Sequence, residues 1–340
     1  VLLIDCHAHL VPQHFPELPK GVPAHEWPVM EPLGDGTSRM LIDGKPFRIF
    51  EPAYWDVPGR ITTMDQEGID FQILSPLPEL LGYWFDARTA AALAEHMHET
   101  IAAAVAAAPD RLAGLGMLPL QDVTRAVAMV PGLAALGLRG VLVASNINGV
   151  SIADARFEPV FAALQDLDLA VFVHGYRPAG VDRLLGSPLL PAVIGVPQDT
   201  ALAIASFMMT DIFGRFPRLR LGFAHGGGSF AALLGRLDHV WQSFEEMRGV
   251  LRIAPRDYVK KFCFDTVTFG PEYLSYLIEM VGPGAVMAGS DGPTPIGQRG
   301  LEKFVLEAAR GDRAVTEQIL GRTALRFFGL GEISARHQAA

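Results

Sequence analysis

Short apolar runs rich in β-branched residues recur along this chain, and each is followed by a stretch with helical spacing. The candidate strands read "LLID", "FQILS", "LAGLGMLP", "RGVLVA", "LAVFVH", "LRLGFAH", "KFCFDT" and "AVMAGSD". Between them lie helix-like segments at about 87–107, 123–136, 157–166, 200–215, 230–246 and 272–281. Pro and Gly punctuate the joints. Eight strands alternating with helices predict an α/β fold, a (β/α)8 TIM barrel. A doubly wound sheet is the rival, but it seldom needs so many successive units.

A chain of 340 residues is an ordinary length for one such barrel, so residues 1–340 read as a single domain. The rhythm breaks once, at about 14–54, where the text is rich in Pro and Gly. That stretch contains one hairpin, "SRMLIDGKPFRIF", with Asp43-Gly44 as its turn. It reads as a small insertion after the first strand, near the barrel mouth.

Half the residues are hydrophobic, and the formal net charge is -9. This balance argues against nucleic acid or an anionic membrane as a partner. It leaves small anionic molecules open, because local charge governs a pocket. The two cysteines, Cys6 and Cys263, give no disulfide scaffold and fit a reducing compartment. No basic segment precedes the first apolar residues, and Asp5 interrupts them, which argues against a signal peptide. The alanine-rich "TIAAAVAAAP" is too short to span a bilayer. The expectation is a soluble, cytoplasmic protein.

The ten histidines sort by their position relative to the strand ends. His7 and His9 follow the first strand, and alternate residues on a strand share a face. His174 closes the fifth strand, His225 the sixth and Asp291 the eighth. Active sites of such barrels sit at this end of the strands, so five ionisable groups would converge on one mouth. Taken singly, each has a plainer reading: a strand-end histidine is more often a structural hydrogen-bonder, and an aspartate there a turn or cap residue. Their joint placement is far more specific.

His7, His9, His174 and Asp291 make a borderline ligand set for one divalent metal, with Zn the first choice and Fe, Co or Mn the alternatives. Keeping His225 out of the ligand set leaves room for water or substrate. A metal in such a place acidifies water, and His225 is then a ready proton carrier. The remaining histidines read as packing or surface residues. His96 and His98 are also two apart, but on a helix, where such positions diverge. His14, His25, His239 and His337 lie in the insertion, on a helix or in the tail.

This arrangement resembles the amidohydrolase superfamily. Binuclear members carry a carboxylated lysine at the end of the fourth strand; here that end reads "VLVASNING", without lysine, which implies a mononuclear site. From end to end the chain is similar to the 2-amino-3-carboxymuconate-6-semialdehyde decarboxylase family. "DCHAHLVP", "DGKPFRIF", "RITTMDQEGIDFQILS", "GLGMLPLQD", "FGRFPRLRLGFAHGGGSF" and "GRLDHVW" carry the resemblance. It implies metal ligands at His7, His9, His174 and Asp291, and the acid/base at His225. It further implies carboxylate-gripping arginines at Arg48 and Arg236, the second donated across a homodimer interface. Read without the resemblance, each arginine is an ordinary surface cation, although Arg suits bidentate carboxylate binding.

The chain departs from that pattern along the pocket wall. "HGYRPAG" replaces the family's Pro-Trp-Asp after the fifth-strand histidine, bringing Tyr176 and Arg177. "LLPA", ending in Ala192, replaces a tryptophan-rich stretch, and Thr294 stands in place of an aromatic. Substrate identity is therefore in question, and Arg177 reads either as a contact to a further anionic group or as a solvated loop residue. "HGGGSF" could bind an anion at a helix start. It lacks the dinucleotide spacing, and no G-x-S-x-G elbow accompanies it, so a close turn is its plainer role.

The expected activity is metal-dependent, cofactor-free, non-oxidative decarboxylation of a small unsaturated or aromatic carboxylate. The substrate would be like 2-amino-3-carboxymuconate-6-semialdehyde or an ortho-hydroxybenzoate. The alternative is a metal-dependent hydrolase or hydratase of a lactone, an amide or an unsaturated diacid, using the same ligands.

Overall fold

The structure is a computed structural model that describes residues 1–18, 20–22, 27–42 and 44–331. Eight strands carry the architecture: β1 (Ile4–Leu10), β2 (Phe71–Pro76), β3 (Leu112–Gly114), β4 (Gly140–Ala144), β5 (Ala170–His174), β6 (Leu221–Phe223), β7 (Cys263–Asp265) and β8 (Val286–Met287). β1, β2 and β3 form one parallel arc. β4 to β8 form a second, also parallel. Backbone hydrogen bonds join the arcs at both seams. Gly116 donates to the Gly140 carbonyl at 2.9 Å, and Leu142 donates to that of Gly116 at 2.8 Å. On the other side Cys6 donates to Ala288 at 2.8 Å and His9 to Gly292 at 2.7 Å. The ring closes, and the fold is the TIM barrel expected.

A helix follows each strand: α1 (Val57–Glu67), α2 (Ala87–Ala107), α3 (Val123–Ala135), α4 (Glu158–Asp166), α5 (Val196–Met209), α6 (Phe230–Ser243), α7 (Pro271–Val281) and α8 (Leu301–Ala308). Aspartates start the first three. The side chains of Asp56, Asp86 and Asp122 accept from backbone amides of the opening turn, filling donors that a helix start leaves free. Their apolar faces meet strands that are buried throughout, with Phe172, Phe223 and Phe264 among the largest enclosed side chains. Both cysteines are buried on strands and free, as the sequence suggests.

Several element boundaries differ from expectation. β1 extends through Leu10, so His7 and His9 lie within it rather than after it. The segment 200–215 is not one helix: α5 starts at Val196 and ends at Met209, and Asp211, with φ 48°, caps a separate short turn. Likewise 230–246 breaks after Ser243, and a second helix spans Glu245–Val250. Pro191–Met209 is long and apolar enough to cross a bilayer; here its α5 part buries Ile204, Phe207 and Met208 against the barrel.

The insertion holds the expected hairpin, Ser38–Ile42 against Lys45–Phe50. Asp43 of its turn lies outside the described residues, as do His25 and His337, while Gly44 takes the positive φ of 66° such a turn needs. A third strand, Val29–Pro32, pairs with the hairpin and was not legible beforehand.

Candidate metal centre

β1 presents Asp5, His7 and His9 in alternation, with a register shift between Asp5 and Ala8 that eases the strand around its neighbours. His174 ends β5 in register with Ala144 of β4. Asp291 comes four residues after β8, further from its strand than the sequence implied, with φ 59°. One ligand atom from each of His7, His9, His174 and Asp291 lies within 4.8 Å of all the others, and all four residues are buried.

The second nitrogen of each imidazole is already engaged. His7 Nδ1 donates to Asp265 Oδ2 at 2.6 Å, His9 Nδ1 to the Pro76 carbonyl at 3.1 Å and His174 Nδ1 to the Gly175 carbonyl at 2.7 Å. These bonds fix the tautomers and leave every Nε2 as a lone pair. His7 Nε2 and His9 Nε2 stand 3.2 Å apart, and Asp291 Oδ1 is 3.0 Å from His9 Nε2. With the Nδ1 atoms engaged as donors, lone pairs and a carboxylate oxygen that converge so closely suit a shared cation. Three imidazole lone pairs and a carboxylate fit a divalent metal. Burial pushes the Asp291 carboxyl up, but His9 and the neighbouring imidazoles outweigh it and hold the group below the usual carboxylate range. Burial, then the surrounding imidazoles, pushes His174 well below the usual histidine range.

His225 follows β6 in a turn with φ 58°. Its ring centroid lies 4.5 Å from that of His174 and 5.5 Å from that of His7. Its Nδ1 is buried without a hydrogen-bond partner among the described residues, and burial lowers its pKa, which favours the neutral ring. The three glycines after it permit the close turn. A side chain at Gly228, where φ is 62°, would start 1.8 Å from the Pro197 carbonyl oxygen.

Two supporting carboxylates escaped the sequence reading. Asp265, at the end of β7, accepts from His7 through Oδ2 and from the Gly226 amide through Oδ1, at 2.8 Å. It thereby couples a ligand to the loop of His225. Asp5 accepts from the His7 amide, from Gln72 Nε2, and from the amide and hydroxyl of Ser290. That net ties β1 to β2 and to the segment carrying Asp291. The only prior signal for either was an aspartate at or near a strand, which is too common to single out.

The three arginines fall in different places. Arg48, on the insertion hairpin, pairs with Glu79 at 3.6 Å beside the β2 end of the barrel. Arg177, with φ 44°, stacks over Trp84 at 4.7 Å and over Tyr176 at 5.6 Å, and makes no ion pair with any described residue. Arg236 projects from α6 into an exposed apolar groove against α5, apart from the metal ligands, and it too pairs with no described carboxylate. Of the altered wall positions, Tyr176 is half-buried and Ala192 exposed. Thr294 is buried, its hydroxyl donating to the Asp291 carbonyl at 2.6 Å. Just past the end of β4, the stretch that lacks a lysine, Ser145 donates to Asp199.

The amidohydrolase family profile matches residues 4–330. A 2-amino-3-carboxymuconate-6-semialdehyde decarboxylase from Dictyostelium discoideum is 34% identical over 331 residues, covering 97% of this chain and 92% of that protein. Among solved structures, a 5-carboxyvanillate decarboxylase from Sphingomonas paucimobilis superposes with a TM-score of 0.78 at 27% identity, covering 96% of this chain and 98% of the other. A dihydroxybenzoic acid decarboxylase from a Polaromonas species, with bound manganese and the inhibitor 2-nitroresorcinol, shares the fold with a TM-score of 0.73 at 20% identity over 97% of each chain. The ligand geometry and these likenesses agree: the chain belongs to the amidohydrolase family, among its metal-dependent carboxy-lyases.

Proposed function

We propose that the protein removes CO2, without an organic cofactor, from a small unsaturated or aromatic carboxylate. Substrates like 2-amino-3-carboxymuconate-6-semialdehyde or an ortho-hydroxybenzoate suit this reading. The observation that carries it is His225, an imidazole whose buried Nδ1 has no partner among the described residues, set beside the cluster of His7, His9, His174 and Asp291. When bound, the metal supplies Lewis acidity and acidifies water. His7, His9, His174 and Asp291 hold it, and Zn fits this donor set first, with Mn, Fe or Co the alternatives.

His225 takes a proton and passes it to the substrate carbon that bears the carboxylate. One C–H bond forms and one C–C bond breaks, with the electron pair of the broken bond returning to the unsaturated system. No oxidant or reductant is needed. Arg48 orients a carboxylate at the mouth. Arg236 reaches the site of a second copy, which its position on an exposed apolar face supports. Arg177, which makes no ion pair with a described residue and lies on its aromatic pad, receives a further anionic group. The buried, free cysteines fit a cytoplasmic setting.

The test is CO2 release across carboxymuconate semialdehydes and ortho-hydroxybenzoates, with metal analysis of the purified protein. His225→Ala keeps its metal and loses roughly a hundredfold or more in turnover. Full turnover by the metal-loaded variant would remove His225 from the mechanism. Hydration or hydrolysis without CO2 would replace the decarboxylase reading.

A further inference from the structure

Tyr54 has no task in the chemistry above, yet its surroundings give it one. The residue is only 4% exposed, and its phenolic O–H finds no acceptor among the described residues, although the Arg48 guanidinium is close enough to donate to the phenolic oxygen. Buried hydroxyls are paired in native folds, because an unpaired one loses its hydration for nothing. Nor is the ring free to turn elsewhere. The Tyr54 carbonyl accepts from the Val11 amide at 3.3 Å and lies 3.4 Å from Arg60 Nη2. Phe50 meets the ring at right angles, 4.7 Å between centroids. These ties hold Tyr54 just beyond the end of β1, the strand that carries His7 and His9.

The neighbours of the hydroxyl define what it awaits. Arg48 lies beside it, and Asp291 is within electrostatic reach. The Arg48 guanidinium packs over Phe47 and Phe50 at 5.1 and 5.9 Å, and its pair with Glu79 is long. A guanidinium only donates hydrogen bonds, so it cannot receive the Tyr54 O–H. Two adjacent donors, one of them charged, call for one acceptor with two oxygens and a negative charge. A carboxylate meets that description.

We propose that Tyr54 and Arg48 form a two-donor clamp on a substrate carboxylate, with Tyr54 as the residue that selects carboxylate over a neutral substituent. This deepens the decarboxylase reading and rests on it.

The test uses the full chain loaded with divalent metal. Binding of 2-hydroxybenzoate, and of catechol, which carries a neutral hydroxyl in place of the carboxylate, is measured by titration calorimetry for the wild type and Tyr54→Phe. Losing a hydrogen bond to a charged group weakens binding by roughly ten- to a hundredfold. That loss is expected for 2-hydroxybenzoate alone, with catechol affinity, metal content and thermal midpoint unchanged. Equal affinity of both proteins for 2-hydroxybenzoate overturns the clamp. So does an equal loss for catechol, since the hydroxyl would then shape the pocket without reading charge. A wild type that binds neither compound overturns the ortho-hydroxybenzoate reading of the site and the clamp with it. That outcome is distinguishable because it appears before any substitution is made.

Discussion

Asp265 accepts from His7 with one oxygen and from the Gly226 amide with the other. One fully buried carboxylate therefore sets the tautomer of a metal ligand and the place of the loop that carries His225. Asp265→Ala should weaken metal affinity roughly ten- to a hundredfold, as outer partners of ligating histidines generally do. Chelator competition measures this. Turnover at saturating metal should fall as well, because the His225 loop loses its anchor. Unchanged metal affinity would show that the neighbouring bonds orient His7 by themselves. The four clustered residues were legible because the two-residue spacing of His7 and His9 puts both on one face of β1, while His174 ends β5 and Asp291 follows β8, all towards one mouth of the barrel. Asp265 and Tyr54 were not. Asp265 acquires meaning only from His7, 258 positions away, and Tyr54 only from what its hydroxyl lacks. The left-handed backbone at His225, Asp291 and Arg177 was equally hidden. None of these three is glycine, and such conformations are held by surrounding structure at functional sites.

At the scale of elements, α2 shows why a histidine dismissed as packing still has a measurable consequence. His98 is buried on α2, and its Nε2 donates to the Met117 carbonyl at 2.7 Å, docking the helix on the chain that follows β3. Burial lowers its pKa from 6.5 to about 4. The unfolded chain therefore binds a proton in the window between those values that the fold does not. The fold has its full stability from this group above pH 6.5 and loses it progressively as pH falls towards 4, by up to about 3 kcal/mol. His98→Gln keeps a donor and cannot titrate. Urea unfolding of both proteins should show the wild type losing stability relative to the variant through that window. A constant difference would mean that His98 is hydrated in the fold. Helix and strand order were readable because each element carries its own period and its own caps. The third strand of the insertion was not, since Val29–Pro32 is short, largely exposed and ends in proline. The breaks after Met209 and Ser243 escaped for a related reason: apolar spacing continued across them while the backbone turned.

For the whole molecule, the closed ring leaves one face of its helical layer unexplained. Leu202 on α5 is 58% exposed and Leu233 on α6 is 51% exposed, and Ile194 stands beside them in the groove that holds Arg236. An apolar patch of this kind, rimmed by an arginine with no ion pair to a described residue, has the character of an interaction surface. The occupant proposed for it is a second copy of the chain, whose paired sites would then exchange Arg236. Complementation decides the matter. His225→Ala lacks the proton carrier, and Arg236→Gln lacks the donated cation, so each protein alone is inactive. In a mixed dimer, one site combines an intact His225 with an intact Arg236 from its partner, and the other site lacks both. Random co-assembly should therefore restore roughly a quarter of wild-type CO2 release, since about half the dimers are mixed and each has one whole site of two. If Arg236 serves its own barrel, or serves none, co-expression restores nothing beyond the separate proteins. Leu233→Asp should abolish the effect by yielding monomers in sedimentation, with the metal content of the barrel retained. A monomeric variant that keeps full turnover would free catalysis from the second copy, and Arg236 with it.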